Sequence, residues 1–272
     1  MSASAHRIRR RRAPLLSKVP EITVYFWIIK VLTTAMGEAT SDYLVYHMNP
    51  YLAVVLGGLV FVAALAVQFA AERYVAWKYW LAVTMVAVFG TMVADATHVV
   101  LGVPYADSSA VFALLVAIVF IVWHRVEGTL SIHSIRTRRR EFFYWATVVA
   151  AFALGTALGD MTAMTLRLGF LASAGLFAVL FALPLFGGRY LRWNDVFAFW
   201  FAYVVTRPLG ASCADWFGMS PVVGGLGINK ALVSGVLTVF IVAFVYFISR
   251  RRIDIQQEPA RDADEQDSLS QA

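Results

Sequence analysis

The chain has 272 residues, 60% of them hydrophobic and 15% charged, with a formal net charge of +6. Soluble domains average about 25% charged residues, so the composition excludes an ordinary soluble domain and points to an all-α, polytopic membrane protein. The single cysteine, Cys213, excludes an intrachain disulfide framework.

Residues 1–20 form a basic segment, "MSASAHRIRRRRAPLLSKVP". No short apolar stretch with a small-residue cleavage site follows it. The first apolar run therefore reads as a retained helix rather than a removed signal peptide. Eight apolar runs follow in order: 22–44, 50–70, 79–99, 109–124, 143–165, 168–187, 196–217 and 228–249. Each is expected to span the bilayer, giving a transmembrane domain over 21–253. The tail, 254–272, is polar, acidic and free of aromatics, and is expected to be disordered. Eight spans leave both termini on one side. Of the 23 Lys and Arg residues, all but Lys30, Arg167, Arg207 and Lys230 fall in the terminal segments and the loops of that side. By the excess of basic residues in cytoplasmic loops, the orientation is N-in and C-in. The expected location is the bacterial inner membrane, with the lipid bilayer as partner. The positive balance is absorbed by this placement, so no nucleic-acid partner is expected.

The odd-numbered runs carry an internal repeat. They read "WIIKVLTTAMGEATSD", "WLAVTMVAVFGTMVAD", "WATVVAAFALGTALGD" and "WFAYVVTRPLGASCAD". Each has Trp, then Gly ten residues on, then Asp five further. The sets are Trp27–Gly37–Asp42, Trp80–Gly90–Asp95, Trp145–Gly155–Asp160 and Trp200–Gly210–Asp215. A short turn and a plainer apolar run follow each Asp. The chain is thus four helical hairpins, at about 21–74, 75–126, 140–191 and 195–251. Hairpins in tandem keep one orientation, so the copies are related by an axis along the membrane normal.

This pattern resembles a family of bacterial integral membrane proteins built from four tandem two-span repeats with a hallmark tryptophan, a repeat of unknown function. The resemblance covers about residues 20–250. It implies the architecture and no activity.

Helix geometry gives the repeated residues separate tasks. Fifteen residues advance about 22 Å, so Trp and Asp lie toward opposite ends of each helix. Trp is expected as an interfacial anchor. Gly is turned about 140° away from Asp and is expected to let a neighbouring backbone approach closely. A carboxylate at membrane depth costs roughly 2.5 kcal/mol or more. Four at one depth suggest a cluster about the repeat axis, with capping of the hairpin turns as the plainer alternative.

The copies differ in their ionisable residues. Only the first has Lys30 and Glu38; Thr91, Thr156 and Ala211 stand where Glu38 would be. Only the seventh run has Arg207, followed by Pro208, which is expected to kink or locally unpair its helix. His98 follows Asp95 by one helical turn, and Lys230 opens the eighth run. Lys30, His98, Arg207 and Lys230 are candidate counter-ions or proton relays. Glu38, Asp42, Asp95, Asp160 and Asp215 are the candidate ion-binding residues and, if the cargo is a metal, its ligands. Hard oxygen donors favour Mn²⁺, Mg²⁺, a monovalent ion or H⁺ over Cu or Zn. No nucleotide-binding or catalytic motif is present, and neither an enzymatic activity nor a cofactor is expected. The expected function is a cation carrier, with proton exchange as an option. The alternatives are a carrier of a small cationic or zwitterionic organic solute, boxed by Tyr43, Tyr46, Tyr51, Tyr105, Trp216 and Phe217, and a non-transporting accessory membrane protein.

Overall fold

The structure is a computed structural model that describes residues 16–190 and 193–256. The arginine-rich run at 7–12 and the tail after Gln256, with its expected disorder, lie outside the described residues. Among the described residues there are eight long helices and no strand. They are α1 (Val24–His47), α2 (Pro50–Phe69), α3 (Ala76–Val99), α4 (Tyr105–Glu127), α5 (Arg138–Asp160), α6 (Phe170–Tyr190), α7 (Asp195–Gly218) and α8 (Lys230–Arg251). Six of them, α2, α3, α4, α5, α7 and α8, are long and apolar enough to cross a membrane. That is the mark of a multi-pass membrane protein.

Local sequence starts and stops these helices where capping chemistry requires. The side chains of Asn49, Asn194 and Asn229 accept hydrogen bonds from the first backbone N–H groups of α2, α7 and α8, and Thr137 does the same for α5. Pro50 occupies the first turn of α2, where its missing N–H costs nothing. α4 ends at Gly128, whose φ of 71° is the left-handed conformation of a helix C-terminus. Pro208 departs from expectation, because α7 continues through it from Asp195 to Gly218. The irregularity lies elsewhere: α5 runs at Asp160 into a π-helical turn, Met161–Thr165.

The repeat Gly residues close the fold. A methyl group on Gly37 would come within 2.7 Å of the Ala87 backbone, one on Gly90 within 3.0 Å of the Phe152 Cβ, one on Gly155 within 2.5 Å of the Arg207 Cβ, and one on Gly210 within 2.7 Å of the Thr34 Cβ. Ala87, Phe152, Arg207 and Thr34 occupy one repeat position, eight residues before the repeat Asp. Each Gly therefore seats on the same register of the next odd helix, and the fourth seats on the first. α1, α3, α5 and α7 form one closed ring in which each helix packs on the next. Small residues allow helices to approach this closely, and here glycine leaves the room.

The even helices lie outside, each packed chiefly on the odd helix of the following repeat: α2 on α3, α4 on α5, α6 on α7 and α8 on α1. Between 17% and 28% of the apolar window is buried in α2, α4 and α8, against 56% to 72% in α3, α5 and α7. Val55, Leu59, Val111, Leu114, Val239 and Val242 face outward from the outer helices. Polar side chains collect on the inner ring, where Thr33, Thr34, Thr91, Thr156 and Ser212 are buried.

The ring is filled at its tryptophan end. The sequence places the repeat tryptophans as interfacial anchors; the structure instead buries Trp80, Trp145 and Trp200, and leaves Trp27 half-buried. They pack with Phe26, Tyr79, Tyr144, Phe199 and Tyr203 into one aromatic cluster. The converging interior lets these indole rings bury a large apolar area. Beneath the cluster the two ends of the described chain are tied in. The Lys18 ammonium donates to Glu141 at 2.6 Å, Gln68 donates to the same carboxylate at 2.9 Å, and all three side chains are buried. Asp254, placed in a disordered tail by sequence, is buried and accepts a 2.6 Å hydrogen bond from the Tyr74 hydroxyl. Its carbonyl accepts from the Glu21 N–H.

Candidate functional site: carboxylates inside a helical ring

Four rings of equivalent residues line the interior of α1, α3, α5 and α7, separated by about one helical turn or 6 Å. Uppermost are the repeat aspartates. One turn below lie Glu38, Thr91, Thr156 and Ala211. Below those lie Thr34, Ala87, Phe152 and Arg207, and then Lys30, Val83, Val148 and Tyr203.

Arg207 binds the second and third of these layers together. One terminal nitrogen shares its two N–H groups among Glu38 at 2.6 Å, Thr156 at 2.7 Å and Thr91; the other donates to the Thr34 carbonyl at 3.4 Å. Arg207 is 1% exposed and Glu38 3%. The two threonines stand at the repeat position of Glu38. The third and second copies thus supply neutral oxygens where the first supplies a charge. Each threonine hydroxyl also donates to a carbonyl four residues back, so neither depends on Arg207 for its own partner.

In the top layer, Asp42 is paired with Lys230 of α8. Oxygens of Glu38, Asp42 and Asp95 lie within 4.8 Å of one another. Metal–oxygen distances of about 2.1–2.6 Å fit such a spacing. Asp160 and Asp215 lie within electrostatic reach of Glu38 and Asp42. Both are buried, 7% and 4% exposed. Among the described residues neither of these two, nor Asp95, has a hydrogen bond or ion pair from a side chain. Three carboxylates, Glu38, Asp42 and Asp95, therefore meet in one place, two of them with cationic partners, and Asp160 and Asp215 occupy the same layer of the ring. The aspartates do not serve four separate hairpin turns.

Other expectations fare differently. Lys30 is not a counter-ion of the cluster: its Nζ is buried without a hydrogen-bond partner, 4.1 Å from the Phe152 ring centre and 4.2 Å from that of Tyr203. The reason is height, since Lys30 starts three turns below Asp42. His98 belongs to the end of α3, where Nδ1 meets the Val103 carbonyl at 2.8 Å and the ring stacks on Tyr105. The six rings that could box an organic ammonium are dispersed. Tyr43 stacks on His47, Trp216 packs on Phe217, and Tyr46 and Tyr51 are exposed. A groove of about 1220 Å³ lined by Trp27, Phe181 and Trp193 is mostly apolar, and none of the five candidate carboxylates lines it. The Lys18–Glu141–Gln68 network went unread in sequence. So did the tyrosine at the tryptophan end, although "YW" at 79–80 and again at 144–145 was a visible signal.

Four segments, residues 25–74, 78–129, 143–189 and 198–254, match the family described as Repeat of Unknown Function (DUF347). The chain belongs to this family. Each match covers most of one odd helix and all or nearly all of the even helix after it, so the family unit is the helical hairpin. Its four copies build the ring. No curated protein and no solved structure matches the chain.

Proposed function

We propose that the protein is a transporter for a hard cation, with eight membrane spans, both termini in the cytoplasm, and residence in the bacterial inner membrane. The observation that carries this reading is the meeting of Glu38, Asp42 and Asp95 oxygens within 4.8 Å of one another inside one closed ring, with Asp160 and Asp215 buried at the same repeat position of the next two odd helices. Buried carboxylates repel unless a cation or protons intervene, and intramembrane acids mark ion pathways by default. Oxygen is the only donor element in the cluster, which favours Mn²⁺, Mg²⁺ or a monovalent ion. The Lys230 ammonium pairs with Asp42 at one edge of the cluster. An entering cation competes with it for Asp42.

The span count rests on the hairpin repeat, which gives α1 and α6 the same standing as the other six. α1 falls short in composition because it carries Lys30, Glu38 and Asp42, all on the ring interior. Orientation rests on the basic residues clustered at the tryptophan end.

The test is Mn²⁺ flux and binding in proteoliposomes for wild type and Asp95→Asn. Binding at least tenfold weaker in the variant is expected. Equal flux and equal binding would sink the cation reading. The accessory-protein alternative predicts neither binding nor flux in either.

A further inference from the structure

Between α2 and α8 the outer layer of helices is open. The gap forms a groove of about 820 Å³, floored by α1 and α3 and flanked by α2 and α8. It runs from Trp77, Tyr246 and Ser249 at the tryptophan end to Leu44, Met48 and Ser234 toward the aspartate end. Ser234 and Ser249 are fifteen residues apart on α8, which is about 22 Å of helix. One leaflet supplies about 15 Å of the roughly 30 Å hydrocarbon core. The groove is therefore long enough to hold a whole acyl chain. None of the five carboxylates lines it.

The body of the groove suits hydrocarbon. Met36, Leu56, Val60, Leu81, Val88 and Ile241 supply apolar walls. Three hydroxyls within it are already partnered by the protein. Thr40 donates to the Met36 carbonyl at 2.7 Å and lies 2.6 Å from the Ser234 hydroxyl, and Thr238 donates to the Ser234 carbonyl at 2.8 Å. An apolar occupant leaves none of the three unpaired, so it carries no desolvation penalty from them.

The mouth at the tryptophan end has a different chemistry. The Lys78 ammonium lies 5.6 Å from the Trp77 ring centre, and Arg250 donates to the Tyr246 hydroxyl at 3.1 Å. Trp77 and Tyr246 are 54% and 60% exposed. Unlike the buried repeat tryptophans, Trp77 sits where an amphipathic ring meets a membrane interface. Among the described residues the Lys78 ammonium, the Trp77 indole N–H and the Ser249 hydroxyl donate to no protein acceptor. The Tyr246 hydroxyl accepts from Arg250 and keeps its own proton to donate. The α2–α3 turn nearby carries one charge of each sign, Glu72 and Arg73. The mouth thus offers two cations and several free donors, which a phosphodiester, an anion with acceptors only, complements.

We propose that this groove binds one anionic phospholipid from the leaflet at the tryptophan end, its acyl chain along α1 and α3 and its phosphate between Lys78 and Arg250. The site goes beyond the cation reading and does not depend on what the carboxylates bind. Basic pockets between spanning helices recognise anionic headgroups in this way. A zwitterionic lipid carries the same chain and phosphate, but its own ammonium cancels the charge. It fits the slot and gains little at the mouth. The bound chain fills the outer wall where the last repeat meets the first.

The experiment titrates the full chain, in detergent and stripped of lipid, and counts bound lipid by mass spectrometry of the intact complex. The probes are phosphatidylglycerol and phosphatidylcholine with identical long chains, dihexanoyl phosphatidylglycerol, and inorganic phosphate. Each basic side chain near an anionic headgroup contributes about fivefold. One long-chain phosphatidylglycerol is therefore expected to bind at least tenfold more tightly than phosphatidylcholine. Lys78→Gln combined with Arg250→Gln should bring the two lipids within threefold. Arg125→Gln, exposed at the same end of α4 and outside the groove, should keep the preference. Val242→Trp places an indole in the slot and should weaken both long-chain lipids at least fivefold. The dihexanoyl lipid should bind at least tenfold more weakly than the long-chain one. Equal affinity for the two lipids in wild type overturns the site, as does a preference that survives the double variant or falls equally with Arg125→Gln. Inorganic phosphate binding as tightly as the lipid also overturns it, by marking a plain anion site.

Discussion

Arg207 and Glu38 form the buried pair on which the ring interior depends, and a double-mutant cycle measures that dependence. Arg207→Met removes the cation and leaves Glu38 with only the Thr91 hydroxyl at 3.3 Å, beside four other carboxylates. Breaking a buried pair from one side costs about 3–5 kcal/mol, because the remaining charge is uncompensated. For a chain of this size that corresponds to a fall in Tm of about 10 °C. Glu38→Gln should cost less. The guanidinium keeps the Thr156 hydroxyl at 2.7 Å, the Thr91 hydroxyl and the Thr34 carbonyl at 3.4 Å. The double variant should recover most of the loss of Arg207→Met, because no strong buried charge of that pair remains. The assay is thermal unfolding of detergent-solubilised protein, with all four members of the cycle measured at one pH. Single-variant losses that add in the double variant to within about 0.5 kcal/mol would show two independent sites. That result would refute the description of Arg207 as the partner of Glu38.

Three further outcomes are expected. Gly155→Ala should lower thermal stability markedly, since its methyl would meet Arg207 and Pro208 at 2.5–2.8 Å; Gly175→Ala, with nothing within 4 Å, should be neutral or stabilising by about 0.5–1 kcal/mol. Lys230→Met frees Asp42 and should tighten Mn²⁺ binding about tenfold, or roughly 1.4 kcal/mol, by calorimetry; weaker binding would contradict the competition between ammonium and ion. Burial and the neighbouring Asp254 charge hold the Tyr74 hydroxyl above its ordinary value of 10. The unfolded chain therefore releases this proton first, and stability falls as pH rises past about 10. Tyr74→Phe should be less stable at neutral pH and show a shallower alkaline decline in unfolding scans.

Sequence periodicity reached far into this structure because the governing residues are repeated. Trp, Gly and Asp at fixed spacing identified the hairpin unit, and the apolar runs located each helix to within a few residues, save for the N-terminal reach of α5. Four copies could still have been two pairs or one ring. The choice depends on which helix each Gly seats against, and Gly37 against Ala87 is separated by fifty residues that sequence does not connect. Glu38, Asp42 and Asp95 lie together in keeping with the register. Lys30 misled because charge inventories ignore height: three turns of helix put its ammonium against rings and not carboxylates. Trp misled in a similar way. A tryptophan near a helix end suits an interface equally well as a core, and only the convergence of four helices decides between them. Lys18–Glu141–Gln68 was invisible because its members come from a terminal segment, an outer helix and an inner helix, with no shared spacing.

The closed register of the ring has a consequence for connectivity. α8 sits on α1 as α2 sits on α3, and the two ends of the described chain meet where Glu21 hydrogen-bonds Asp254. The ring itself has no first repeat; the chain merely happens to be cut between the fourth and the first. A circular permutant joined across that cut and opened in the loop at 128–137 retains every Gly seat. Separate halves of two repeats each carry one unfilled Gly face and one unfilled acceptor face. Such faces are complementary, so two halves coexpressed as separate chains can rebuild the ring.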